Sequence, residues 1–120
     1  MLFKKRGYTL TLNRVHDALT VKEGDARLTL TVDGDSMRMV AGLNKAQEKM
    51  NEILKQENPP EAEIREAAEY FATVIFGAEG SNKLFDFYNG DAGCVISVCG
   101  QYFKGRLADK IAKVQRRLKV

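Results

Sequence analysis

Apolar and polar residues alternate in the first third of the chain, with the period of two expected of a strand that has one buried face. The alternation covers residues 8–12 and returns over residues 26–32. Residues 18–21 form a shorter β-prone stretch, and the glycine and aspartate within residues 22–25 supply a turn between it and residues 26–32. The pattern predicts an antiparallel β-hairpin or a three-stranded meander.

The apolar spacing then changes to three and four, which is typical of a helix. The alternation ends at residues 33–36, with the sequence DGDS, whose side chains are good N-caps. A first helix is predicted from there to about Gln56, and residues 58–60 (NPP) break it because proline clashes in a helix interior. The stripe on its apolar face consists of Val40, Leu43, Ala46, Met50, Ile53 and Leu54.

A second helix is predicted after the two prolines. Pro60 fits its first turn, and Glu61 and Glu63 favour the positive N-terminal end of a helix. The helix ends at Phe76 and Gly77, where the glycine is a natural C-terminal cap. Its broad apolar face consists of Ile64, Ala67, Ala68, Phe71, Ala72, Val74 and Ile75.

A short third helix is predicted from Ser81, a capping residue, to Tyr88. Residues 89–90 (NG) end it because they tolerate a positive φ. Asp91 then caps a last helix that runs from about residue 92 to near the C-terminus. Its apolar residues are Val95, Ile96, Cys99, Phe103, Leu107, Ile111, Val114 and Leu118.

Gly100 and Gly105 weaken this last helix, and a kink is expected near one of them. Together the elements predict an α+β fold in a single domain over residues 1–120. Residues 1–33 form its β-rich part, and residues 34–120 contribute about four helices packed around one core.

Composition supports a globular domain rather than a disordered or membrane-spanning chain. The chain has 120 residues, 44% hydrophobic and 29% charged, close to the averages for such domains. The stretch with least charge, residues 87–103, contains three glycines and lacks the apolar length of a membrane span. The N-terminus lacks the apolar core of a signal peptide. We therefore expect a cytoplasmic location and no membrane partner.

Candidate catalytic and metal-binding residues are few. His16 is the single histidine and, with Asp17 beside it, is interpreted as a solvated turn residue. Cys94 and Cys99 have no further ligands nearby for zinc, and both are expected to be reduced. Residues 33–35 (DGD) lack the later ligands of a calcium loop. The sequence therefore predicts no enzyme activity, no metal and no cofactor.

The formal net charge of +3 is distributed unevenly along the chain. The last helix is basic, whereas residues 48–69 are net acidic. The candidate basic surface consists of Arg106, Lys110, Lys113 and Arg117, which share one side of the helix. Such a stripe either neutralises phosphates in a nucleic-acid-binding module or is the solvent face of an amphipathic helix. The second interpretation is preferred because specific nucleic-acid motifs are absent.

Residues 67–111 resemble the small tail assembly chaperones of long-tailed phages and prophages of Gram-positive bacteria. In that family an apolar helix ends in an Ile-Phe-Gly element. An acidic-glycine link, a short Lys-Leu-Phe-like helix, a Tyr-Asn/Asp-Gly-Asp turn and a final apolar helix follow. The matching residues are Ile75, Phe76, Gly77, Lys83, Leu84, Phe85, Phe87, Tyr88, Asn89, Gly90 and Asp91.

The resemblance implies a non-enzymatic protein of the bacterial host cytoplasm. It implies binding to the tape-measure protein or to tail-tube subunits, which keeps aggregation-prone segments soluble until the tube polymerises. The family has no catalytic residues to carry over. Self-association is left open as a further mode of binding.

Overall fold

The computed structural model describes residues 13–118 and has an α+β fold. Two antiparallel strands, β1 (Arg14–Glu23) and β2 (Ala26–Asp35), form a hairpin that precedes the helices. The predicted class, an antiparallel hairpin followed by helices, is confirmed at this level. The strand predicted over residues 8–12 lies outside the described residues, and the described sheet has two strands.

One face of the hairpin packs against the helices, because successive side chains of a strand point to opposite sides. β1 begins at Arg14 rather than at residue 18, since β2 continues to Asp35 and supplies partners along the whole length. His16 and Asp17 are therefore strand residues, and their interpretation as turn residues is wrong. The buried residues of the inner face include Val15, Val21, Leu30 and Val32.

Helix α1 (Ser36–Leu54) begins within the predicted capping segment. The Asp35 carboxylate accepts hydrogen bonds from two backbone N–H groups of the first turn, at 2.9 and 3.2 Å. The side-chain amide of Asn13 also donates to Asp35, at 2.9 Å, which ties the start of β1 to the start of α1. The inward stripe includes Met39, Ala46 and Ile53, whereas Leu54 at its end is 74% exposed.

Helix α2 (Glu61–Phe87) joins the second and third predicted helices into one element with a kink inside it. Gly77 has φ +80° and ψ 170°, a backbone conformation that is essentially restricted to glycine. A Cβ atom on Gly80 would lie 2.6 Å from Cβ of Phe76, whereas residues four apart in a straight helix are about 5 to 6 Å apart. The glycine predicted to end a helix therefore bends one, and the described residues contain three helices rather than about four.

The third helix consists of three consecutive segments. These are α3 (Ala92–Tyr102), one π-helical turn (Phe103–Leu107) and α4 (Ala108–Leu118). Of the two glycines at which a kink was expected, Gly100 lies in regular α-helix and Gly105 lies in the π-helical turn. We refer to the three segments together as the C-terminal helix.

The hydrophobic core lies between the inner face of the hairpin and the three helices. Helix α2 contacts α1, α3 and β2, so it occupies the centre of the packing. The helical members of the core include Ala68, Ala72, Ile75, Phe76, Leu84, Phe85, Val95, Cys99, Tyr102, Leu107, Ile111 and Val114. The overall shape is elongated, with principal extents of 63 × 35 × 22 Å.

Candidate functional site

A carboxylate lies on the inner, mostly apolar face of the hairpin. Asp17 occupies an inward position of β1 between Val15 and Leu19, because residues two apart along a strand share a face. Its side chain is only 5% exposed. A buried carboxylate is costly unless donors surround it, so Asp17 and the residues that contact it form a candidate functional site.

Three side chains of the C-terminal helix converge on Asp17. The Tyr102 hydroxyl donates to Oδ2 at 2.7 Å, and Arg106 contacts both carboxylate oxygens, with Nη2 2.9 Å from Oδ1 and Nε 2.8 Å from Oδ2. Lys110 Nζ lies 3.9 Å from Oδ1. These donors come from three levels of the C-terminal helix at a spacing of four residues, which keeps them on one side. We refer to the four residues as the Asp17 cluster.

The electrostatics of the cluster favour a charged Asp17 and a neutral tyrosine. Burial alone raises the pKa of Asp17, but hydrogen bonds from Tyr102, the Ala18 N–H and Arg106, together with the charge of Lys110, outweigh it and hold that pKa below its ordinary value. Burial and the adjacent carboxylate raise the pKa of Tyr102. Asp17 is thus a poor base and Tyr102 a poor acid at neutral pH.

The arrangement is suited to holding two distant parts of the chain together. The paired residues are 85 and 89 positions apart, so the cluster fastens the N-terminal hairpin to the C-terminal helix around its π-helical turn. The ring of Tyr102 also packs on Phe76, with ring centroids 6.0 Å apart. Both carboxylate oxygens are occupied by donors, which leaves Asp17 little capacity to activate a substrate.

The predicted basic surface is divided by this cluster. Arg106 and Lys110 turn toward Asp17, whereas Lys113 binds Asp109 of its own helix at 3.3 Å and Arg117 is exposed. The four cations are therefore not equivalent. Two of them hold the fold together, and two lie on the surface of α4.

His16 and the segment 33–35, both candidates from the sequence, lie near the end of the hairpin opposite its turn. Nδ1 of His16 lies 3.3 Å from Oδ1 of Asp33, and Arg14 binds the same oxygen at 2.7 Å. The hydrogen bond from Arg14 lowers the pKa of Asp33, whose side chain is 54% exposed. The segment 33–35 therefore supplies an ion pair and a helix cap.

The two cysteines are free thiols. Cys99 is completely buried, and burial raises its pKa to about 12. Burial, followed by the neighbouring Asp91, raises the pKa of Cys94 as well. Neither thiol is activated as a nucleophile. Within residues 13–118 no group of three or more histidine, cysteine or acidic side chains is placed to hold a metal ion.

Two open grooves flank the hairpin. The first, about 610 Å³, lies between β1 and α3 next to the Asp17 cluster and includes Leu19, Val21, Tyr88, Val98 and Arg106 in its wall. The second, about 750 Å³, lies between β2, α1 and α2 and includes Arg38, Met39, Lys45, Tyr70 and Val74. Both combine an apolar surface with a few charged groups, which is typical of surfaces that bind peptides or small ligands.

The Asp17 cluster was not predicted from the sequence. The signal was present, because Val15, Leu19 and Val21 place residue 17 on the apolar side once β1 is extended to Arg14. A charged residue at such a position predicts a buried partner of opposite charge. The local pattern could not identify the residue that supplies this charge.

Comparison with protein-family models gives no match, and comparisons with curated proteins and with solved structures give none either. In the part of the chain that the structure describes, no helix combines the length and apolar character needed to cross a bilayer. The interpretation of function therefore depends on the residues themselves.

Proposed function

We propose that this protein is a non-enzymatic assembly chaperone of a phage or prophage tail. It acts in the bacterial host cytoplasm and binds the tape-measure or tail-tube protein during tail assembly. The resemblance of residues 67–111 to the tail assembly chaperones is the observation that carries the proposal.

The residues that make up this resemblance occupy conformationally demanding positions. Gly77 forms the kink of α2, and the turn after α2 has positive φ at Asn89 (54°) and Gly90 (81°). Asp91 caps α3 by accepting the backbone N–H of Cys94 at 3.2 Å. A match at such positions is more informative than a match of apolar helix residues, because only a few residue types fit each of them.

The surface also offers places for an apolar partner segment. The two grooves described above have partly apolar walls, and Met37 is 66% exposed at the start of α1. Methionine side chains adapt to partners of different shape, as a chaperone for aggregation-prone segments requires. These features support binding of a protein rather than turnover of a substrate.

Co-expression with the tape-measure protein and the tail-tube protein of the same phage or prophage tests the proposal. We expect one of them to copurify with this chain and to be more soluble in its presence. An unrelated large helical protein, expressed in the same way, is the control. If neither tail protein copurifies or gains solubility, the proposal is wrong.

The alternative, a nucleic-acid-binding module, has weaker support from the geometry. Arg106 and Lys110 are held by Asp17, so phosphates would have to compete with a buried carboxylate for them. Lys113 and Arg117 remain at the surface. A mobility-shift titration at low and high salt tests this alternative, because phosphate binding weakens steeply as salt is added.

A further inference from the structure

Within residues 13–118, two regions of the surface carry a net charge of opposite sign. The end of α1, the start of α2 and their connection, residues 48–69, carry seven acidic residues against three basic ones, and all seven are exposed. We name this region the acidic tip. Two of its basic residues bind acidic neighbours within the tip, at 3.1 Å in each case: Lys55 binds Glu52, and Arg65 binds Glu69.

The second region is the outer side of the C-terminal helix. Residues 104–117 contain six basic residues against one acidic residue, Asp109. Including Asp17, which Arg106 and Lys110 contact, this region has an excess of four positive charges, equal in size to the negative excess of the acidic tip. The exposed cations that do not contact Asp17, named here the basic face, are Lys104, Lys113, Arg116 and Arg117.

The two regions lie on different elements and approach each other beside α1, where Phe103, next to Lys104, shares a small groove with Gln47 and Met50. The C-terminal helix also meets β1 at Asp17, and the start of β1 is bonded to the start of α1, where Ser36 N–H donates to Asn13 O at 2.6 Å. The acidic tip includes the other end of α1, whose 19 residues span about 28 Å.

The described ion pairs of these two regions are local or reach Asp17. Those of the acidic tip stay within the tip, and those of the C-terminal helix stay within that helix or reach Asp17. Among the described residues, none joins the tip to the basic face. Each region thus presents its net charge to the outside.

We propose that the basic face of one copy binds the acidic tip of a second copy. Complementary charge supplies orientation and speed of association. Leu54, 74% exposed within the tip, supplies an apolar contact of the kind that charged side-chain stems can cover. The proposal is independent of the tape-measure or tail-tube partner, since it concerns only surfaces of this chain.

The elongated shape makes the tip accessible to another copy. The radius of gyration is 16.9 Å, whereas a compact domain of about 100 residues has about 13 Å. Because the two surfaces are different, the contact is head-to-tail, and a pair of copies retains one free acidic tip and one free basic face. Such contacts build rings or open chains rather than closed pairs.

Sedimentation velocity of the full chain over a range of concentrations tests the proposal. We expect the sedimentation coefficient to rise with concentration at 50 mM salt and the rise to disappear at 500 mM salt, as in other charge-driven contacts. Protein that has been treated with nuclease and shows no absorbance from nucleic acid must associate in the same way, because bound nucleic acid could otherwise bridge the copies. If association vanishes on nuclease treatment, or no concentration dependence is seen at low salt, the proposal is overturned.

Charge reversal gives a sharper test, because the sign of the charge on each surface can be reversed separately. One variant carries Glu48→Lys, Glu57→Lys and Glu66→Lys in the tip. The other carries Lys104→Glu, Arg116→Glu and Arg117→Glu on the basic face. Alone, each variant has two surfaces of like charge, and we expect it to self-associate at least about tenfold more weakly than the unmodified chain. An equal mixture of the two variants again contains surfaces of opposite charge and should restore the association.

A control variant separates this effect from a general change in net charge. Lys22→Glu with Arg27→Glu reverses two exposed charges on the hairpin, outside both surfaces. We expect it to associate as the unmodified chain does, and circular dichroism should show that all variants are folded. The proposal is wrong if this control is as defective as the two reversed variants or if their mixture stays monomeric.

Discussion

Asp17 receives the described side-chain hydrogen bonds that link the N-terminal hairpin to the C-terminal helix. A carboxylate on the inner face of a hairpin costs free energy, and hydrogen bonds from charged or phenolic donors offset that cost. Tyr102 and Arg106 supply such donors, both within 3 Å. Removing one partner leaves the carboxylate incompletely satisfied, which is more harmful than removing an exposed ion pair.

Tyr102→Phe should lower the free energy of unfolding by about 2 kcal/mol, because the variant loses a hydrogen bond to a buried carboxylate. Urea denaturation followed by circular dichroism measures the loss. In an Asp17→Asn background, where the charged acceptor is gone, the same change should cost about half as much or less. Equal losses in the two backgrounds would show that the phenol and the carboxylate are not coupled.

The pH dependence of stability should also report on Asp17. Its pKa in the folded protein is lower than its ordinary value of 3.8, so it stabilises the fold above that value and loses this contribution as pH falls through the lowered pKa. The stability difference between the unmodified chain and Asp17→Asn should therefore shrink below about pH 4. Urea midpoints at pH 6, 4 and 3 measure it. A difference that is constant with pH contradicts the assignment.

At the scale of elements, glycines decide where the helices bend. Gly77 permits the kink in α2, and Gly80 permits the close approach of the chain to Phe76 just after it. Gly105 lies within the π-helical turn that separates Tyr102 from α4. The helices were predicted correctly as helices, but their number depended on whether Gly77 ends a helix or bends one.

Gly77→Ala should lower the free energy of unfolding by about 1 to 3 kcal/mol, because no atom lies within 4 Å of the added Cβ and the cost is that of the backbone conformation alone. Gly100→Ala is a matched control. The Cβ added at residue 100 also meets no atom within 4 Å, but this residue lies in a helix, where alanine is favoured over glycine. The substitution should therefore raise the free energy of unfolding by about 0.5 to 1 kcal/mol. Thermal and urea denaturation measure both. An unchanged or higher free energy of unfolding in Gly77→Ala would contradict the kink at Gly77.

At the scale of the whole molecule, the core joins all the elements through buried residues from each of them. Cys99 lies within that core at 0% exposure, whereas Cys94 is half-buried beside the first groove. The two thiols therefore report on different depths of the same structure. Their labelling rates distinguish local opening from global unfolding.

In a Cys94→Ala variant, Cys99 should react with a thiol reagent at neutral pH at least about a thousandfold more slowly than in the urea-unfolded chain, because reaction requires opening of the core. In the closed core, a pKa raised to about 12 by burial also disfavours direct reaction of the thiol. A Cys99→Ala variant, which retains Cys94, should label faster. Labelling of Cys99 within tenfold of its unfolded rate would show that this part of the core opens readily.

Charge is also organised at the scale of the whole molecule. The acidic tip lies on α1, α2 and their connection, whereas the basic face lies on the C-terminal helix. The sequence showed that residues 48–69 are acidic and that the last helix is basic, but it grouped Arg106 and Lys110 with the other cations of a solvent-facing stripe. The structure assigns these two to Asp17 and leaves Lys113 and Arg117 at the surface.

The sequence by itself determined the types of the elements and most of their ends. Periodicity, caps such as Asp35 and Asp91, and the proline break act between residues close together in the chain, so a local pattern contains them. The tertiary structure decided that residues 61–87 form one kinked helix and that Asp17 is buried. Both depend on packing, and the partners of Asp17 lie 85 and 89 residues away, where no local pattern can identify them.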